Sequence, residues 1–220
     1  GDRALAHVAV PPRKVRAWGA EYHLNGEKGY HVQGTKAEGQ TLIIEDFWNA
    51  DSAFDVLVNH ARTMDYIHAI VKSRPTINNS EIRIRYRGNA SGSHGGSRTA
   101  NQKYRYSFGE QGIDCMMVRM VYFVRDCSNE EGAFCVVPGT HKANYPRLPC
   151  DRVEDLLVEL PMRAGDALLF SHDMAHCSHN ESSTVRRTVM YTYCPGVIAN
   201  SFGGDGLYDD IFAAAPDDSW

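Results

Sequence analysis

Side chains capable of chemistry come together in the stretch Gly-Asp-Ala-Leu-Leu-Phe-Ser-His-Asp-Met-Ala-His (165–176) and its continuation to Arg186 and Arg187. A Gly-Asp turn opens a short apolar run, 167–170. His172 and His176 follow beside a polar loop, and a second β-rich run spans 186–193. Imidazole is the commonest metal-binding side chain. A guanidinium fork grips a carboxylate through two charge-assisted hydrogen bonds. A histidine and an arginine on two neighbouring strands can therefore hold a metal and an anionic cosubstrate side by side. Taken alone, a histidine at a strand end is more often structural than a ligand, so the surrounding elements must decide.

Those elements belong to a chain of 220 residues, enough for one well-buried core. We read it as a single domain, 1–220. Hydrophobic content of 43% and charged content of 23% are ordinary for a globular protein. A net charge of −4 offers no broad attraction to nucleic acid or acidic membranes. No run reaches transmembrane length and no signal-peptide core is evident, so neither a membrane nor a nucleic acid is an expected partner. Six cysteines lie at 115, 127, 135, 150, 177 and 194, with no C-x-x-C pair. Reduced, mostly buried thiols are the expectation, and with them a reducing, cytoplasmic location.

Abundant tyrosine and phenylalanine in short apolar runs favour a β-rich protein. Residues 1–40 read as a loop-rich lead-in, followed by a short strand at 41–45. Residues 52–72 repeat apolar side chains at helical spacing, with Ser52 and Asp55 as a capping box and Pro75 as the stop. Residues 81–87 then alternate basic and apolar, as a half-buried strand does. Their arginines are expected to face solvent, the alternative being a pocket for an acidic substrate. Residues 88–97 form a glycine-rich loop carrying His94, without the Gly-Lys-Ser/Thr of a phosphate cradle. Strands are expected at 104–108, 115–124, 133–137, 167–171 and 186–193, and a short capped helix at 151–158. The sum is a mainly β sandwich or jelly roll with helices at the front.

Three segments in order carry a more specific signal. Gly-Ala-Phe-Cys-Val-Val-Pro-Gly-Thr-His-Lys (132–142), Gly-Asp-Ala-Leu-Leu-Phe (165–170), and His176, Ser178, Asn180 and Arg186-Arg187 resemble the phytanoyl-CoA dioxygenase-like family. The likeness covers roughly residues 80–195. That family is a branch of the Fe(II)- and 2-oxoglutarate-dependent oxygenases, built on a double-stranded β-helix of cupin-like, jelly-roll form. The resemblance implies iron held by His94 and His176, and 2-oxoglutarate anchored by an arginine and Ser178. Counting from His176 points to Arg187 as that arginine; strand register points to Arg186, which we prefer. Only one of the two can face inward, because neighbours on a strand point to opposite sides.

The family's usual metal motif is His-x-Asp or His-x-Glu, completing a two-His-one-carboxylate triad. Here it is His94-Gly95-Gly96. Three readings follow. The first is a halogenase, in which Gly96 leaves a coordination position open for chloride or bromide. The second is a hydroxylase whose third ligand comes from Glu110, Asp114 or water. The third is a cupin-like protein that binds a metal or small molecule without chemistry. In the two enzymatic readings the substrate is a small organic molecule with an unactivated C–H bond. His141 is expected to be a rim or structural residue, and His172, Asp173 and His179 to contact substrate or fill the rim.

Overall fold

The alternating residues after the helical segment build the centre of a large sheet. The structure is a computed structural model that describes residues 23–25, 30–72, 74–94, 106–110, 112–142 and 153–196. Its strands are β1 (His23–Asn25), β2 (Tyr30–Gly34), β3 (Thr41–Glu45), β4 (Pro75–Arg85), β5 (Asn89–His94), β6 (Tyr106–Gly109) and β7 (Gly112–Cys115), then β8 (Val118–Phe123), β9 (Phe134–Val136), β10 (Val158–Leu160), β11 (Ala167–Ser171), β12 (His176–Asn180) and β13 (Arg186–Pro195). A seven-stranded sheet runs β1-β2-β3-β4-β13-β8-β11, and a four-stranded sheet runs β10-β9-β12-β5. A hairpin joins β6 to β7. Two antiparallel sheets packed face to face are the double-stranded β-helix expected from the sequence, with α1 (Asp55–Val58) and α2 (Ala61–Ile70) at the front.

Period two divides the large sheet's side chains between its faces. On β13, Val189, Tyr191 and Tyr193 pack outward against Phe47, Trp48, Val58, Ile67 and Val71 of the helical layer. The intervening Arg186, Thr188, Met190 and Thr192 point inward, toward the small sheet. The register places Arg186 opposite Arg85, Thr188 opposite Arg83 and Met190 opposite Glu81. Across the other edge of β13, Met190 lies opposite Val121 and Thr192 opposite Arg119. Val121, Phe123, Phe134, Val136, Phe170 and Met190 fill one end of the space between the sheets. Among the described residues, no helix is long and apolar enough to cross a membrane.

Several expectations need correction, and tertiary contacts explain most of them. The helix expected over 52–72 is broken: a 3-10 turn at Ser52–Phe54, then α1, a gap at Asn59-His60, and α2. At the break a tyrosine of the large sheet takes a carbonyl that a continuous helix would use: Tyr193 donates to Val58 at 2.7 Å. Tyr191 donates to Phe54, at the start of α1, at 3.1 Å. The expected capping box is absent; the Asp51 side chain instead accepts from the Ala53 N–H at 2.8 Å. α2 ends at Ile70, with Val71 already extended, ahead of the expected stop; Pro75 instead begins β4, where its missing N–H is tolerated at a strand's first residue. The apolar run 115–124 is split between β7 and β8. Residues 153–156 form a 3-10 turn ahead of β10, in place of the expected helix; residues 151 and 152 lie outside the described set.

Two corrections matter for function. The glycine-rich loop is mostly a strand: β5 pairs with β12 from Asn89 to His94. The polar loop after His172 likewise becomes β12, gripped between β5 and β9. Ser91 and His94 of the first and His176, Cys177 and Ser178 of the second line a cavity between the sheets.

Gly132 shows how tightly β12 is held. At φ 88° a side chain there is strained, and a Cβ would sit 2.0 Å from the His179 carbonyl oxygen. Gly139 has a similar φ of 84°, but nothing lies within 4 Å of its would-be Cβ. Gly132→Ala should therefore lose about 3 kcal/mol or more in urea unfolding, and Gly139→Ala only about 1 kcal/mol. Equal losses at the two sites would contradict this packing.

Candidate active site between the two sheets

A small cavity lies between the inner faces, lined from both sheets. Its small-sheet wall carries His176 and His94, Cα partners across the β12–β5 ladder. Their ring centroids are 4.1 Å apart with planes inclined at 55°. His176 is buried, stacked on Phe134 at 5.3 Å and met by the ring of Phe170 at 4.9 Å. His94 is more exposed. Each ring is fixed from behind: His176 Nδ1 is 2.6 Å from the Met174 carbonyl, and His94 Nδ1 is 2.9 Å from the Gly92 carbonyl. A carbonyl only accepts, so Nδ1 carries the proton and Nε2 keeps its lone pair. Burial, and then the neighbouring His94 ring, push the His176 pKa down to about 3. Burial, and then the positive charge of Arg119 and Arg83, lower that of His94. Both rings are thus neutral at neutral pH, the form that binds a metal.

A register irregularity between His176 and Ser178 would leave the ladder loose at this point. Ser91 closes it: its hydroxyl accepts from the Ser178 N–H and donates to the Ser178 carbonyl, each at 3.1 Å. Beyond it, Asn180 is fully buried. Its amide donates to the carbonyls of Arg85 at 3.1 Å and Thr184 at 2.7 Å, and its oxygen accepts from the Ser182 N–H. These bonds shape the turn that delivers β13, and so Arg186, to the opposite wall.

Arg186 is 6% exposed and points inward, while Arg187 is exposed on the other side of the strand. His176 and Arg186 therefore sit on facing sheets, not on neighbouring strands of one sheet as expected. Arg186 Nη1 donates to Ser178 Oγ at 2.8 Å, joining the two walls. Its Nε is buried without an acceptor. The adjacent Cys127 thiol is kept protonated by burial and supplies no counter-charge. Among the described residues no carboxylate pairs with Arg186. An isolated buried guanidinium is costly, and burial lowers its pKa. The geometry that would relieve it is an oxyanion lying between Arg186 and the imidazole pair.

The remaining candidates are placed less centrally. Gly96 lies outside the described residues, as does the Asp114 side chain; Glu110 is exposed at the β6–β7 turn. Among the described residues no group of three His, Cys, Asp or Glu side chains is arranged to hold a metal. His172 lies 6.5 Å from His176, centroid to centroid, and Asp173 next to it has a carboxyl pKa raised to about 6 by burial. His141 is in the 3-10 turn Thr140–Lys142, and His179 is half-buried on β12. The five described cysteines are buried thiols outside any disulfide. The largest departure from expectation concerns β4. Glu81, Arg83 and Arg85 face the cavity side of the sheet, not solvent, and Arg119 joins them from β8. Alternation alone marks one face of such a strand as different but does not say which face is buried.

The fold and this cavity define a jelly-roll scaffold of the oxygenase type, and comparison with known proteins specifies it. The family model described as phytanoyl-CoA dioxygenase (PhyH) matches residues 51–189. No curated protein sequence matches the chain. Among solved structures, HygX from Streptomyces hygroscopicus with nickel and 2-oxoglutarate bound is 20% identical, covers 77% of this chain and 76% of its own, and has a TM-score of 0.67. The epimerase SnoN, in complex with Fe3+, α-ketoglutarate and nogalamycin RO, is 16% identical over 84% of this chain and 77% of its own, with a TM-score of 0.58. EctD from S. alaskensis with bound Fe is 17% identical over 70% of this chain and 56% of its own, with a TM-score of 0.55. The chain belongs to the phytanoyl-CoA dioxygenase family of iron- and 2-oxoglutarate-dependent oxygenases.

The unbalanced guanidinium yields a stability prediction that needs no ligand. Arg186→Met removes a buried charge while keeping an extended side chain, so the ligand-free protein should gain about 1 kcal/mol or more in chemical unfolding. A loss of about 1 kcal/mol or more would show that Arg186 is already balanced within the protein.

Proposed function

We propose that this chain is an Fe(II)/2-oxoglutarate-dependent oxygenase acting on an unactivated C–H bond of a small organic substrate. His94 and His176 are its metal ligands, through Nε2. Arg186 and Ser178 hold the distal carboxylate of 2-oxoglutarate. One observation carries this reading: two neutral imidazoles with free Nε2 atoms and a buried, unbalanced Arg186 share one cavity from opposite walls. A metal between the imidazoles and a dicarboxylate spanning from it to Arg186 would satisfy both.

When bound, iron and 2-oxoglutarate supply the oxidising chemistry, with dioxygen consumed and carbon dioxide and succinate released. The chain's own residues position and protect. Met174 and Gly92 carbonyls hold the imidazoles at fixed orientation, which steadies a metal and raises ligand basicity. Phe134 and Phe170 shield His176 from water. Ser178, tied to Ser91, fixes the Arg186 guanidinium so that the carboxylate end is held at one depth.

Hydroxylation is the primary reading of the outcome, with the third metal position filled by water or by a carboxylate outside the described side chains, such as Asp114; exposed Glu110, expected from the sequence as an alternative, is not grouped with the two histidines. A second reading, halogenation, is favoured by one observation: glycine at 96 provides no carboxylate where the family's motif has one, which leaves room for chloride.

Anaerobic addition of Fe(II) and 2-oxoglutarate should produce a weak visible charge-transfer band. Its absence from properly folded protein would contradict the oxygenase reading. Chloride should leave the band unchanged if the enzyme hydroxylates, and shift it or tighten binding if it halogenates. In the second case Gly96→Asp should abolish the chloride response.

A further inference from the structure

If the oxygenase reading holds, the cavity carries more positive charge than that reading uses. Four arginines line it, and no aspartate or glutamate does so among the described residues. Arg83 and Arg85 stand two residues apart on the inner face of β4, with Arg186 directly opposite Arg85. Arg119 enters from β8, its Nε donating to Thr192 Oγ1 at 3.2 Å. Glu81, one step further along the same face of β4, lies 2.9 Å from Arg83 and 3.5 Å from Arg119.

The Nε–H groups of Arg83, Arg85 and Arg186 are all buried without an acceptor. One cosubstrate carboxylate can serve Arg186 and, through the cross-strand pairing, its neighbour Arg85. Arg83 is left over. It lines the same cavity as both histidines and Arg186. Its side chain is 26% exposed, so a ligand can reach it. Glu81 engages Arg83 Nη2, which holds the guanidinium upright on the sheet, and the Nε–H remains to be satisfied.

We propose that Arg83, with Arg119 beside it across Glu81, docks an oxyanion of the substrate, a carboxylate or phosphate ester next to the carbon skeleton to be oxidised. The pair would then select acidic substrates. It would also draw them in, because a cavity lined by one sign of charge concentrates ligands of the other. Arg83 is a specificity residue in this account, distinct from the Arg186 anchor.

The test loads the protein with Ni(II) and 2-oxoglutarate and titrates it with benzoate, phenyl phosphate and neutral benzamide by calorimetry. At least one acid should bind about tenfold more tightly than benzamide, and which acid does so separates carboxylate from phosphate docking. Arg83→Gln should remove most of that preference, Arg83→Lys should restore part of it, and both should leave 2-oxoglutarate affinity within about threefold. No preference for acids in the loaded wild-type protein would overturn the proposal. So would an Arg83→Gln protein that keeps the preference, or one that loses 2-oxoglutarate binding instead. Should 2-oxoglutarate fail to bind the wild type, the oxygenase reading falls by itself. The same titrations on metal-free protein then decide the arginine site, which stands only if the acid preference exists there and depends on Arg83.

Discussion

The interior of this protein is organised by an electrostatic imbalance. Arg186 is buried, bonded to a neutral hydroxyl, and flanked by a thiol that burial keeps protonated. A structural arginine in such a place would be expected to have a carboxylate beside it, because unpaired buried charge is strongly unfavourable. Among the described residues the opposite wall offers two neutral imidazoles and no carboxylate. The acid of the large sheet's inner face, Glu81, is engaged with Arg83 and Arg119 and does not pair with Arg186, while the imidazole wall offers two lone pairs. The fold is stable despite this because it is anchored elsewhere, in the aromatic layer between the large sheet and the front helices.

Holding the imbalance in place requires rigid delivery of side chains from both sheets. Period two on β13 sends Tyr191 and Tyr193 into the helical layer and Arg186 into the cavity. A slip of one residue would exchange Arg186 for Arg187 and invert every pairing. Asn180 guards against this by donating to the Thr184 carbonyl in the β12–β13 turn and to the Arg85 carbonyl at the end of β4, the strand that pairs with β13. Ser91 does the same for the irregular β5–β12 ladder that aligns the histidines. Most of the polar side chains near the site therefore position others and would take no part in chemistry.

Much of this was legible in the sequence. The short aromatic-rich runs foretold a β-sandwich, and the segments at 132–142, 165–170 and 176–187 foretold the family. What sequence reading missed has a common cause. Residues 89–94 and 176–180 are polar and glycine- or serine-containing, so they read as loops, yet they are strands that contribute Ser91, His94, His176 and Ser178 to the cavity. The arginines of β4 read as solvated because a strand with one basic face ordinarily turns that face to water. The helix expected at 52–72 breaks just after Val58, whose carbonyl accepts from the Tyr193 hydroxyl of β13, 135 residues away in sequence, which no local pattern records.

The central claim is that Arg186, and not its neighbour, is the counterpart of the anion that the proposed metal centre at His94 and His176 would hold. The most direct test is calorimetric titration of 2-oxoglutarate into Ni(II)-loaded wild type, Arg186→Met and Arg187→Met. The account predicts that Arg187→Met binds like wild type, while Arg186→Met loses about a hundredfold or more in affinity, as expected when a buried charge-assisted pair is broken. Equal affinities in all three proteins, or a loss confined to Arg187→Met, would contradict it.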